Sequence, residues 1–314
     1  MHSQVYLAIC GAACATVSIV GQPDFGAMVL AASLAMAVLG VPHGGLDHRV
    51  GHRLLHSRLP RSWWMAFFPA YLLVAIAFAA GWYCFPIATV IVFFLVSAWH
   101  FGREDNYASN LNSEWMPERS IARHVLATAT GGLVIWIPAV SRSDEFNSLL
   151  SLITPTADIH VVAQIVFLTQ CIAYALLPVA CIKMLQRLID APKDIARWVP
   201  VATALSAVLL PILLSFTLFF CGWHSWQGLR RLRHEESLSR FHFALRIAPL
   251  SVIAVMGVSW IGWWFHQAHG VDRIDAATLQ IAFIGLSAIA IPHLILHEVY
   301  AFSEFSRIRL EAHL

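Results

Sequence analysis

The sequence predicts an all-α, polytopic transmembrane helix bundle of about eight spans plus a re-entrant segment, in a single integral membrane domain over residues 1–314. Two observations carry that expectation. The chain is 59% hydrophobic and only 12% charged, about half the charge of an ordinary soluble domain. Apolar runs of about 20 residues, the length that crosses a bilayer as helix, recur along its whole length.

The first span is expected over 5–21, and the Gly21–Gly26 turn with Pro23 leads into a second over 26–43. Further spans fall at Trp63–Gly81, Tyr83–Trp99, Ile121–Val140 and Ile159–Ile182, then at 244–265 and 277–301. Arg49, Arg53, Arg58 and Arg61 crowd the loop after the second span, which puts that loop on the cytoplasmic side. Lys183, Arg187, Lys193 and Arg197 mark a second such loop, and Arg230, Arg231, Arg233 and Arg240 a third. The apolar stretch Trp198–Gly222 lies between two loops of the same side and is interrupted by Pro200 and Pro211. A broken, re-entrant element resolves that conflict. Arg307 and Arg309 place the C-terminus inside. The expected location is the inner membrane of the cell, with both termini cytoplasmic. The opening Met-His-Ser-Gln has no basic n-region, so the first helix reads as retained.

Net charge is only +2, with no basic tract of the kind that binds nucleic acid. None of the six cysteines forms Cys-x-x-Cys, and they read as small buried residues. Histidine is abundant, 16 against 20 Lys plus Arg. Four motifs collect the informative ones. They are Pro42-His43-Gly44-Gly45-Leu46-Asp47-His48, Trp99-His100-Phe101-Gly102, Trp223-His224-Ser225-Trp226, and Pro292-His293 followed by His297-Glu298. The first two end even-numbered spans on one side, and re-entry would bring His224 to the same side. Imidazole suits iron, copper and zinc, and ionisable groups within spans usually face the bundle interior. His293 and His297 share a helix face. The four motifs together suit a bound metal, with His43, His100, His224 and His293 as their candidate ligands. Asp47 and Glu298 are candidate acceptors for a ligand's free ring N–H, and His48 and His297 are additional candidates. The stripe His48, His52 and His56 otherwise reads as a solvated face. His2, His160, His242, His266, His269 and His313 read as surface or interface residues. Trp99, Trp223 and Trp226 adjoin the histidine motifs and are candidates to line a pocket for a long apolar molecule. Zinc-protease and serine-hydrolase motifs are absent.

At these four motifs the chain resembles the Brp/Blh family of membrane β-carotene 15,15′-dioxygenases. Pro42-His43-Gly44 through Asp47-His48, the Trp99–Gly102 block, His224-Ser225 and Pro292-His293 occur in the family's order. The resemblance implies a mononuclear non-haem Fe(II) held by His43, His100 and His224. It also implies O2 as cosubstrate and central cleavage of a carotenoid drawn from the bilayer, with retinal as product and a functional link to an opsin. The family's His-Ser-x-x-His pattern is broken here, because Gly228 stands where a second histidine is expected. That leaves His293 or another residue to complete the ligand set. It also leaves two alternatives, a non-catalytic or altered-substrate carotenoid- or retinal-binding membrane factor, and a di-iron membrane hydroxylase. The closely spaced histidine boxes of the hydroxylase class are not present.

Overall fold

The computed structural model describes residues 2–108, 120–154, 156–269 and 274–311, and shows helices and no strand among them. The side chains of His266 and His269, and all of His313, lie outside the described residues. Seven helices are long and apolar enough to cross a membrane, or eight if one bent pair counts as a span. They are apolar around most of their circumference because a lipid-facing side chain has no reason to be polar, and each helix satisfies its own backbone.

Helix α1 is His2–Val20. Asp24 caps α2, Phe25–Ala35, by accepting from the Ala27 N–H at 3.1 Å. The same apolar rod continues through a π turn, Met36–Gly40, and a 3-10 turn, Val41–Gly44, into α3, Asp47–Leu55. Helices α4, Trp63–Cys84, and α5, Pro86–Ala108, form a tight pair around Phe85. Helix α5 runs well past the expected end at Trp99, so His100 sits inside a helix and not at its terminus. The cause is packing: a Cβ at Gly102 would overlap the Ala127 backbone, so α5 and the next helix approach backbone to backbone.

The expected span at 121–140 is two helices, α6, Ile121–Gly131, and α7, Leu133–Ser141, bent 60° to one another. A third piece, α8, Ser143–Ile153, completes the passage. Beyond it Thr156 donates to the Tyr83 carbonyl at 3.0 Å, at the turn between α4 and α5. Helix α9, Ile159–Asp190, returns as one long helix, capped by Asp158.

The stretch after α9 is a helical hairpin. Helix α10, Val199–Leu209, is too short to span. The chain breaks at Leu210–Pro211 and comes back as α11, Ile212–Thr217, and a π-helical segment, Leu218–Ser225. Both limbs meet the same turn of α1. Tyr6 bonds Thr203 of the outgoing limb at 2.9 Å, and its ring lies 5.4 Å from Trp223 of the returning limb. A straight helix would put those two positions about 30 Å apart. The tip is held by one ion pair, Arg142 with Glu145 at 2.6 Å. Arg142 donates to the Val208 carbonyl at the end of α10, and Glu145 accepts the Ile212 N–H at the start of α11. Cation at a C-terminus and anion at an N-terminus is the arrangement the helix dipoles favour.

Helix α12, Trp226–Glu235, then leads to α13, Arg240–His269, and α14, Ile274–Glu311. Buried Glu236 pairs with Arg49, Arg53 and Arg246, tying α3 to the α12–α13 turn. The core sits between α5, α8, α11 and α14, with Trp82 fixed to Ser287 at 2.9 Å.

Candidate metal centre

Three different backbone devices bring the histidines together. His43 lies on the 3-10 turn that follows a π turn, and His224 lies on the second π segment. Insertions of this kind widen a helix and recur at functional sites. The two segments touch, with Gly40 of one against Phe220 of the other. His100 stands on α5 where that helix is fixed by the Gly102 and Gly131 contacts with α6. His293 follows Pro292 on α14. That proline removes one backbone bond and loosens the helix beside the ligand candidate.

His43, His100 and His224 are buried, and their nearest ring nitrogens lie within 4.8 Å of one another. His293 completes the group, with its ring centroid 5.1 Å from His43 and 5.8 Å from His100. Both ring nitrogens of His43 are buried without a hydrogen-bond partner. A buried polar atom left alone costs free energy on the order of 1–3 kcal/mol. That orphaned ring, facing two further imidazoles, fits a metal ion, for which neutral imidazole is the usual ligand.

Asp47 supports the group from one side. His293 Nδ1 donates to Asp47 Oδ1 at 2.8 Å, Tyr71 donates to Oδ2 at 2.8 Å, and His297 Nε2 lies 3.4 Å from Oδ1. The bond to Asp47 leaves Nε2 as the free nitrogen of His293. Asp47, His293 and His297 form a second set of atoms within 4.8 Å.

The other candidates stand elsewhere. His48 is half-buried and belongs to neither histidine group. Glu298 pairs with Arg103 and meets no ring of the group. It is five positions beyond His293, which turns it toward α5 instead of the centre. His52 and His56 pack on each other with tilted rings at 4.4 Å, and Trp63 lies 5.0 Å from His52. His2 is half-buried, with its ring stacked on Trp223 at 5.2 Å. The tryptophans do not line the cavity. Trp99 donates to His124 at 2.8 Å, Trp223 packs under His2 and Tyr6, and Trp226 is exposed.

Sequence reasoning missed Glu104 and Tyr71. Glu104 is buried, bonded to Arg231 at 2.6 Å, and interacts electrostatically with His43, His100 and His224. Its position four residues after His100, on the same helix face, was an available signal. Tyr71 had none, since its partners Asp47 and Ile289 are remote in sequence.

Gly228 packs directly on His43, and a Cβ there would overlap the imidazole. The ring of His43 therefore occupies the space beside position 228 that any larger residue would need.

The histidines stand at one end of an apolar cavity of about 110 Å³. Phe93, Phe94, Phe146, Phe216, Phe220 and Phe283 supply its aromatic walls.

A family model described as β-carotene 15,15′-dioxygenase matches residues 34–301. The chain belongs to the β-carotene 15,15′-dioxygenase family. All four histidines and Asp47 fall within the matched stretch. A β-carotene 15,15′-dioxygenase of the uncultured marine bacterium 66A03 is 28% identical over 293 residues, covering 89% of this chain and 96% of that protein. A probable β-carotene 15,15′-dioxygenase Blh of Halobacterium salinarum is 22% identical, covering 82% of this chain and 79% of its own length. No solved structure matches.

Proposed function

We propose that this protein is a membrane oxygenase that cleaves a carotenoid, β-carotene in the first instance, at its central double bond. The iron would be held by His43, His100 and His224, with His293 as fourth ligand. One observation carries the reading: four buried imidazoles converge at the end of an apolar cavity inside a membrane-spanning bundle. Both relatives carry names for this reaction.

A ferrous ion in that position would supply O2 binding and the electrons that activate it, since three or four neutral imidazoles leave coordination positions open. The overall change is balanced without a further reductant. One carbon–carbon double bond and one O2 become two carbonyl groups, and both oxygen atoms end in the products. The chain's own residues do the rest. Asp47 holds the Nδ1 proton of His293 and fixes that ring, and Tyr71 fixes Asp47. Phe101 and Phe220 pack on His224, with ring centroids at 4.6 and 6.0 Å, and the apolar walls exclude water from the reacting carbons.

The histidine end faces the cytoplasm of the inner membrane, supported by Arg49, Arg53, Arg58 and Arg61 beside α3 and by Arg230, Arg231 and Arg233 on α12. The substrate arrives from the bilayer, and an opsin is a suitable acceptor for the product.

Metal analysis of purified protein, paired with pigment analysis of a carotene-accumulating host, tests the reading. About one iron per chain, with loss of carotene and appearance of retinal, is expected. Retained, uncleaved carotenoid overturns it in favour of a carrier.

A further inference from the structure

The cavity has a direction that the cleavage reaction alone does not require. It begins at His43, His100, His224 and His293 and runs toward the opposite end of the bundle. Along α14 it extends from His293 to Leu279, fourteen residues of helix or about 21 Å. Leu279 is 1% exposed, and facing it on α8 are Leu150 and Ile153, at 2% and 4%. Phe283 stands beside them. The far end is therefore walled by four hydrocarbon side chains. Ser97 and the histidines are the only polar side chains lining the cavity among the described residues.

An extended carbon chain advances about 1.2 Å per bond, as the extended peptide backbone does. Half of a C40 carotenoid, one ring and its polyene arm, spans about twelve bonds, or about 14 Å. That length fits between the histidines and the far wall once the side chains at each end are allowed for. The whole molecule, about twice as long, does not fit on that side of the histidines.

We infer that the channel receives one half of the carotenoid end-on, and that the wall of Leu150, Ile153, Leu279 and Phe283 fixes which double bond lies at the histidines. The other half leaves the centre outside this channel. Central cleavage then follows from the depth of the channel, with the ring as the stop. The inference rests on the carotenoid-cleaving reading and assigns its positional specificity to residues remote from the metal.

The wall can be moved without touching a histidine. Shortening Leu279 or Ile153 to Ala deepens the channel by about two bonds, roughly 2.4 Å, which is the spacing of successive double bonds in a conjugated chain. The products of purified wild type, Leu279→Ala and Ile153→Ala on β-carotene are identified by mass spectrometry. Wild type should give two equal C20 aldehydes. Each variant should raise the fraction of an unequal pair, one fragment longer and one shorter, by about tenfold or more. Equal halves from wild type and from both variants overturn the inference alone. Iron-loaded wild type that cleaves nothing overturns the underlying reading as well.

A test on wild-type protein covers the case in which both variants misfold. Carotenoids with a hydroxyl on neither ring, one ring or both rings are compared. A hydroxyl against the far wall has no partner, which lowers kcat/KM by about tenfold or more. A singly hydroxylated substrate can enter by its plain ring. It should be cleaved within about twofold of β-carotene, since only one of its two entry orientations is lost, while the doubly hydroxylated one falls by the full factor. Equal rates for all three overturn the inference.

Discussion

The two ends of the cavity are built on opposite principles. At the histidine end, polar groups are cross-linked into a network, with Asp47 bonded to His293 and Tyr71, Glu104 to Arg231, and Glu236 to three arginines. At the far end the side chains of Leu150, Ile153, Leu279 and Phe283 are all hydrocarbon and present no polar atom to the cavity. In the first, a change of one atom leaves a buried partner unpaired. In the second, a change of a few atoms alters only volume. Chemistry is therefore concentrated where geometry is fixed by directional bonds, and shape selection where it is fixed by packing.

The largest expected effect breaks the first end outright. His224→Ala should take the metal content of the purified chain from about one ion to near none, read by elemental analysis, with loss of any carotenoid cleavage. Arg231→Met leaves Glu104 buried without its cation, and should cost about 3 kcal/mol of stability in detergent unfolding. Asp47→Asn keeps the shape but weakens the grip on His293. A fall of about 10- to 100-fold in metal affinity, measured by chelator competition, is expected. Glu145→Gln removes the charge that caps α11 at the hairpin tip, and should cost about 1 kcal/mol while the metal stays bound. Ile153→Val at the far end should be the mildest, about 0.5–1.5 kcal/mol in thermal unfolding. An unchanged metal affinity in that variant would sharpen the contrast, and a tenfold change would erase it.

The histidine motifs were legible because their types and spacings are unusual in apolar sequence. Their convergence was only partly so. The positive loops flanking 198–222 pointed to a broken segment, and the shared contact of Thr203 and Trp223 with Tyr6 shows the chain doubling back there. The tryptophans beside the motifs misled, because adjacency in a helix turns neighbours about 100° apart. Trp99 and Trp223 face away from the cavity that His100 and His224 enter, and phenylalanines from five helical segments line it instead. Glu298 misled for the same reason.

The sequence by itself determined the membrane class, the helices and the histidine candidates, since each depends on local composition and on the period of a helix. Only the tertiary structure decided which imidazoles lie together, that Gly228 backs the ring of His43, and how far the cavity lining runs. Those properties depend on where the π segments, the 60° bend and the hairpin tip place residues remote in sequence, and no local pattern encodes such distances.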